Sequence, residues 1–180
     1  MPILGLLASA ISGNLFAPSG AYDSIASTTV SSNVSTITFS SIPATYKHLQ
    51  IRLFCKNLGN NGTVSLRYNS DTGANYSMHD LWGNGATTFA LATANATYVF
   101  ASLTGLGQPA VGIVDIFEYA NTNVYKTNRS LLGLDLSSSG LAWFSSGNWR
   151  NTAAISTITV NSSADFTQYT KVALYGIKGA

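Results

Sequence analysis

The feature that most constrains this chain is a two-residue alternation of apolar and polar side chains that recurs from Tyr22 onward and is broken only by turn formers. Its clearest instance is "HLQIRLFCK". Leu49, Ile51, Leu53 and Cys55 fall on one side, and Gln50, Arg52, Phe54 and Lys56 on the other. Similar runs, rich in Thr, Val and aromatics, occur at "YDSIASTTV", "VSTITF", "TVSLRYN", "ATYVFASLTG", "VGIVDIFEYA", "KTNRSLLGLDLS", "LAWFSSGNWR", "ISTITVNS" and "TKVALYGIKG". The one helical candidate is a single turn at "SIPATY". Eight to ten short strands with frequent turns predict an all-β fold, an antiparallel β-sandwich of jelly-roll-like form.

Local expectations follow. In "SSIPATYKH", Pro43 cannot donate a ladder hydrogen bond, so it ends one strand and makes a corner that Ile42 and Tyr46 cap. "NLGNNG" supplies a turn between "HLQIRLFCK" and "TVSLRYN", so these two are expected to form a hairpin, with Val64, Leu66 and Tyr68 on one face of the second strand. "SDTGANYSMHDLWGNGAT" reads as a long loop. In "AVGIVDIF", Val111, Ile113, Asp115 and Phe117 alternate with Val114 and Ile116, so both faces are expected to be largely buried. Residues 21–180 are expected to form one sandwich domain, a length sufficient for a real core.

Residues 1–20, "MPILGLLASAISGNLFAPSG", are apolar but do not fit a secretion signal. No Lys or Arg precedes the apolar part, and Gly5 interrupts it early. The segment is also too short and broken for a transmembrane helix, so no membrane role is expected. It is expected to be a retained, ordered anchoring arm. Ile3, Leu4, Leu6, Leu7, Ile11, Leu15 and Phe16 would pack on the chain's own domain or on a neighbouring subunit.

Charge narrows the function. Asp, Glu, Lys and Arg make up 9% of the chain, against about 25% in ordinary soluble domains. The net charge of +2 is spread from Lys47 to Lys178, with no cluster of the kind that nucleic acid requires. The single cysteine, Cys55, excludes an intrachain disulfide and a paired-cysteine metal site. It reads as a small buried residue in a chain folded in a reducing cytoplasm.

Few residues could carry chemistry. "MHDLW" sets His79 beside Asp80, but neighbours in a strand point to opposite faces, and a hydrolase or metal site needs more converging groups. Asp115 and Glu118 could be a glycosidase carboxylate pair, or more simply one strand-edge charge and one loop charge. "GNNG" and "GLG" precede no helix that could bind phosphate. No catalytic residue, metal or cofactor is therefore expected. The aromatics stand out instead: Tyr76 and Trp82 flank His79, while Trp143, Phe144 and Trp149 crowd "LAWFSSGNWR". As loop contacts they could anchor a protein interface or stack on a sugar; alternatively they fill the ends of the sandwich.

Five segments taken in order, "MPILGLLASAISGN", "ITFSSIPATYKHLQIR", "LRYNSDTGANYSMHDLWGNG", "NTAAISTITV" and "YTKVALYGIKGA", make nearly the whole chain resemble a group of small structural proteins of tailed bacteriophages. In that group a FSSIP-x-x-Y-x-x-L-x-(I/L)-R unit, a (F/Y)N-x-D-x-(G/S)-x-NY unit and a terminal LYGI(K) recur in this order. The resemblance implies a virion β-sandwich protein that is either capsid-decorating or tail-associated. The expectation that follows is a non-enzymatic cement protein, made in the host cytoplasm and carried on the outer capsid surface. It would be a trimer, with the major capsid protein as its other partner. The alternative is a tail-tip or fibre-head module that binds a host-surface glycan or protein.

Overall fold

A computed structural model of the protein describes residues 20–58, 61–105, 108–135, 137 and 140–179. The arm residues Ile3, Leu4, Leu6, Leu7, Ile11, Leu15 and Phe16 lie outside the described residues. Twelve strands are described: β1 (Tyr22–Thr29), β2 (Val34–Phe39), β3 (His48–Cys55), β4 (Asn61–Tyr68), β5 (Tyr76–Gly83), β6 (Thr88–Ala96), β7 (Val99–Gly105), β8 (Ala110–Phe117), β9 (Lys126–Asp135), β10 (Gly140–Trp149), β11 (Ile158–Phe166) and β12 (Lys171–Ile177). There is no helix among the described residues, and "SIPATY" is a plain turn.

Two antiparallel sheets pack as a sandwich. The larger runs β1-β12-β3-β8-β9-β10-β5-β6 and the smaller β2-β11-β4-β7. Alternation accounts for the packing. Leu49, Ile51, Leu53 and Cys55 of β3, Val114 and Ile116 of β8, and Val172 and Leu174 of β12 meet Val64, Leu66 and Tyr68 of β4 and Ile158 and Val160 of β11. Each such side chain removed from water contributes about 1.5–3 kcal/mol.

The Pro43 corner carries the chain from β2 in the small sheet to β3 in the large one. Ile42 is buried in the core and Tyr46 packs against it, as expected. The Pro43 carbonyl accepts the Tyr119 hydroxyl, and the Ile42 amide donates to Ser156 O at 3.0 Å. Two expectations are corrected here. β3 and β4 are not a hairpin: β3 pairs with β12 and β8, while β4 pairs with β11 and β7. The Gly/Asn-rich segment between them is therefore a crossing between sheets, anchored by Leu58 N to Asp165 O at 2.9 Å. The second correction concerns "SDTGANYSMHDLWGNGAT", whose middle, Tyr76–Gly83, is the regular strand β5, paired with β10 and β6.

With β5-β6 and β9-β10 set aside, the partners β1·β12, β2·β11, β3·β8 and β4·β7 nest one inside another, and the chain changes sheet at every step except the innermost, where β4 and β7 pair within the small sheet. The two additional pairs of strands lengthen only the large sheet. Its outer face, which the small sheet does not cover, is consequently wide.

Candidate functional site

Four of the six candidate aromatic and histidine contacts point into the sandwich, and all six lie on strands rather than loops. Tyr76 and Trp149 are fully buried and pack with Tyr68, their ring centroids 5.7–6.3 Å apart. Asp71 ties them down. It accepts Trp149 Nε1 at 2.7 Å, Asn75 Nδ2 at 2.9 Å and the Gly73 amide at 2.8 Å, while the Tyr76 hydroxyl donates to its carbonyl at 3.1 Å. Partial burial pushes the Asp71 pKa up, but the hydrogen bonds from Trp149, Asn75 and Gly73 outweigh it and hold the carboxyl below the usual carboxylate range.

Trp82 and Trp143 belong to a four-ring stack. Trp82 lies between Phe89 of β6 (5.1 Å, 13°) and Trp143 of β10 (4.2 Å, 7°), and Phe100 of β7 stacks on Trp143 (4.7 Å, 22°). Trp143 Nε1 donates to the buried Asp80 carboxylate at 3.1 Å. The faces a sugar would need are taken by neighbouring rings. His79, the residue before Asp80, points outward and is exposed, so the two do not converge.

The remaining polar groups hold structure together. Asp115 accepts Gln50 Nε2 at 2.8 Å and Arg129 Nη2 at 2.9 Å; Glu118 pairs with Lys47 at 2.7 Å. The Lys126 side chain is buried, its ammonium donating to the carbonyls of Asn121, Val124 (2.8 Å) and Thr152 (3.0 Å). Burial pushes its pKa down. Among the described residues no three His, Cys, Asp or Glu side chains gather as metal ligands.

What remains is the outer face of the large sheet, where Phe144 is found. The register sets Arg52, Ile113, Leu131, Phe144, Leu81 and Ala90 side by side across β3, β8, β9, β10, β5 and β6. From Ile113 to Ala90 this row is entirely apolar. Its large members are exposed, from Phe144 at 40% to Leu131 at 60%. The next row adds Phe54 and Val111, also exposed, followed by Gly133, Ala142 and Gly83. A shallow depression of about 450 Å³ opens between Val111, Ile113, Leu131 and Gly133. On the other side of the stripe runs a polar row, Gln50, Asp115, Arg129, Ser146 and His79.

The face is thus divided across its strands into an apolar half and a polar half. Its apolar side chains lie side by side and exposed, and a contiguous patch of this kind on a monomer is often functional. No protein family, curated protein or solved structure matches the chain. The geometry therefore carries the functional reading.

This surface also corrects the expectation that both faces of β8 are buried. Val114 and Ile116 are, but Val111 and Ile113 are not. Of the stripe's large members, sequence reasoning singled out Phe144 alone. A usable signal was present in "RSLLGLDL" and "HDLWG", where an apolar residue falls on each side of the strand: Leu131 opposite Leu132, and Leu81 opposite Trp82.

Proposed function

We propose that the chain is a non-enzymatic structural subunit of a bacteriophage virion and, within that class, a capsid cement protein that stabilises the shell through subunit contacts. The observation that carries the proposal is the exposed apolar stripe from Ile113 to Leu81, a surface of the kind that proteins bury against one another. The stripe itself carries no charge and so has little electrostatic protection against loose association, which favours a closed oligomer.

The nested strand order supports a jelly roll enlarged by two inserted hairpins. The segments that carry the phage resemblance also touch one another. Tyr46 of the second lies against Gly176 of the last, and Asn69 Oδ1 of the third accepts the amides of Ser156 (2.9 Å) and Thr157 (3.1 Å) of the fourth. These shared motifs serve folding, so they support a common scaffold, and the contact surface lies elsewhere.

Sedimentation of the full-length protein, alone and mixed with shells lacking it, tests the proposal. The expected result is a trimer that co-sediments with shells, with both associations weakened by Leu131→Asp. A stable monomer that leaves shells bare would overturn it.

A further inference from the structure

We infer that the apolar stripe is covered by the N-terminal segment, residues 1–19, of a neighbouring copy of this chain. The inference rests on the subunit reading above and adds which segment meets which surface.

Two features of one molecule complement each other. The stripe from Ile113 to Ala90 carries no charge, and the sequence has no Asp, Glu, Lys or Arg before Asp23. The segment supplies seven large apolar side chains, and the depression at Gly133 can receive one of them. Left uncovered, each would be a liability for nonspecific association. Length is not limiting. Crossing from β8 to β5 spans three strand spacings, about 15 Å, whereas nineteen extended residues reach about 60 Å.

The direction of β1 selects a neighbour over the same chain. Tyr22 aligns through Ile177 with His48, at the polar end of the face. Thr29 aligns through Lys171 with Phe54, at the apolar end. The strand therefore runs toward the stripe, and the segment preceding it leaves from the opposite end. To return to its own stripe it would have to reverse and cross the outer surface where Arg52 sits over the rings of Tyr22 (5.6 Å) and Tyr175 (4.9 Å). The axis of β1, extended beyond Tyr22, points away from the chain's own stripe. A head-to-tail contact with a neighbouring copy uses two different surfaces per subunit, and it gives a ring when the rotation between copies closes and an open filament when it does not.

Variants with one added cysteine in the full-length chain test this, with oxidation applied only after refolding, when native Cys55 is buried. Leu6→Cys protein is co-refolded with Leu131→Cys protein and mildly oxidised; circular dichroism confirms folding, and Leu4→Cys with Ile113→Cys provides a second pair. The expected product is a disulfide-linked pair of chains, about tenfold or more enriched over a control with Thr127→Cys at the polar end of β9. Sedimentation is run on the same samples. An oligomer with no enrichment over the control would overturn the inference while leaving the subunit reading intact. A doubly substituted Leu6→Cys/Leu131→Cys chain that links only within itself would overturn the neighbour assignment. A monomer without cross-links would overturn both.

Discussion

Tyr46 and Gly176 are in direct contact where the corner after β2 meets the end of β12, the tyrosine ring lying where a β-carbon on residue 176 would have to be. The corner after β2 and the last strand are therefore fitted to each other, and any larger residue at 176 must displace the ring. Gly176→Ala is expected to cost about 1–3 kcal/mol, as overpacking does, measured by urea unfolding. In a Tyr46→Ala background most of that added cost should vanish. Equal costs in the two backgrounds would show that the contact is not the reason for the glycine.

Asp71 should shape stability on the acid side. Its folded pKa lies below the ordinary value near 4, so its contribution is complete above about pH 4 and is lost as pH falls through the lowered folded value. Asp71→Ala is expected to cost about 1–3 kcal/mol at neutral pH by unpairing Trp149 Nε1. Asp71→Asn should flatten the decline of stability below about pH 4. Wild-type and Asn variants with the same acid slope would refute this assignment.

His79 and Asp80 should behave oppositely despite being adjacent. His79→Ala removes an exposed side chain and is expected to stay within about 0.5 kcal/mol of wild type. Asp80→Ala leaves Trp143 Nε1 without its partner inside the ring stack and is expected to cost roughly 1–3 kcal/mol. Thermal unfolding of the two single variants separates them, and a neutral Asp80→Ala would remove the carboxylate from the account of the stack.

Cys55 is fully buried in β3, and burial pushes its thiol pKa up to about 12. At pH 8 the native protein should resist alkylation for as long as it stays folded, and urea should expose one reactive thiol per chain. Labelling of native protein at the rate of free cysteine would contradict the packing of β3.

Sequence reasoning locates a strand most plainly where its inward positions are all apolar, although β9 was also found with Lys126, Asn128 and Ser130 turned inward. β3 is the clearest, with Leu49, Ile51, Leu53 and Cys55 in unbroken alternation. β5 was obscured because its inward set, Tyr76, Met78, Asp80 and Trp82, includes a carboxylate, and because it follows directly on the turn residues around Asp71 and Gly73. β6, "TFALATANA", gave no signal: it is an edge strand with exposed residues on both faces, so burial imposes no period on it. The failed hairpin between β3 and β4 has another cause, since turn residues show that the chain reverses but not which sheet receives it. The outer stripe was illegible for a related reason. The sequence shows that Val111 and Ile113 are apolar, and only the assembled register shows Ile113 level with Leu131, Phe144 and Leu81, and Val111 in the next row, on an exposed face.

Lys126 gives the molecule something that loop-rich proteins often obtain from solution. Its ammonium stands where the carbonyls of Asn121, Val124 and Thr152 converge, joining the turn after β8 to the segment after β10. Because this cation is covalently part of the chain, it cannot be diluted away, stripped by a chelator or exchanged for another ion. The junction it closes is therefore indifferent to the ionic composition of the medium, an advantage for any protein that must keep its shape after leaving the compartment in which it folded.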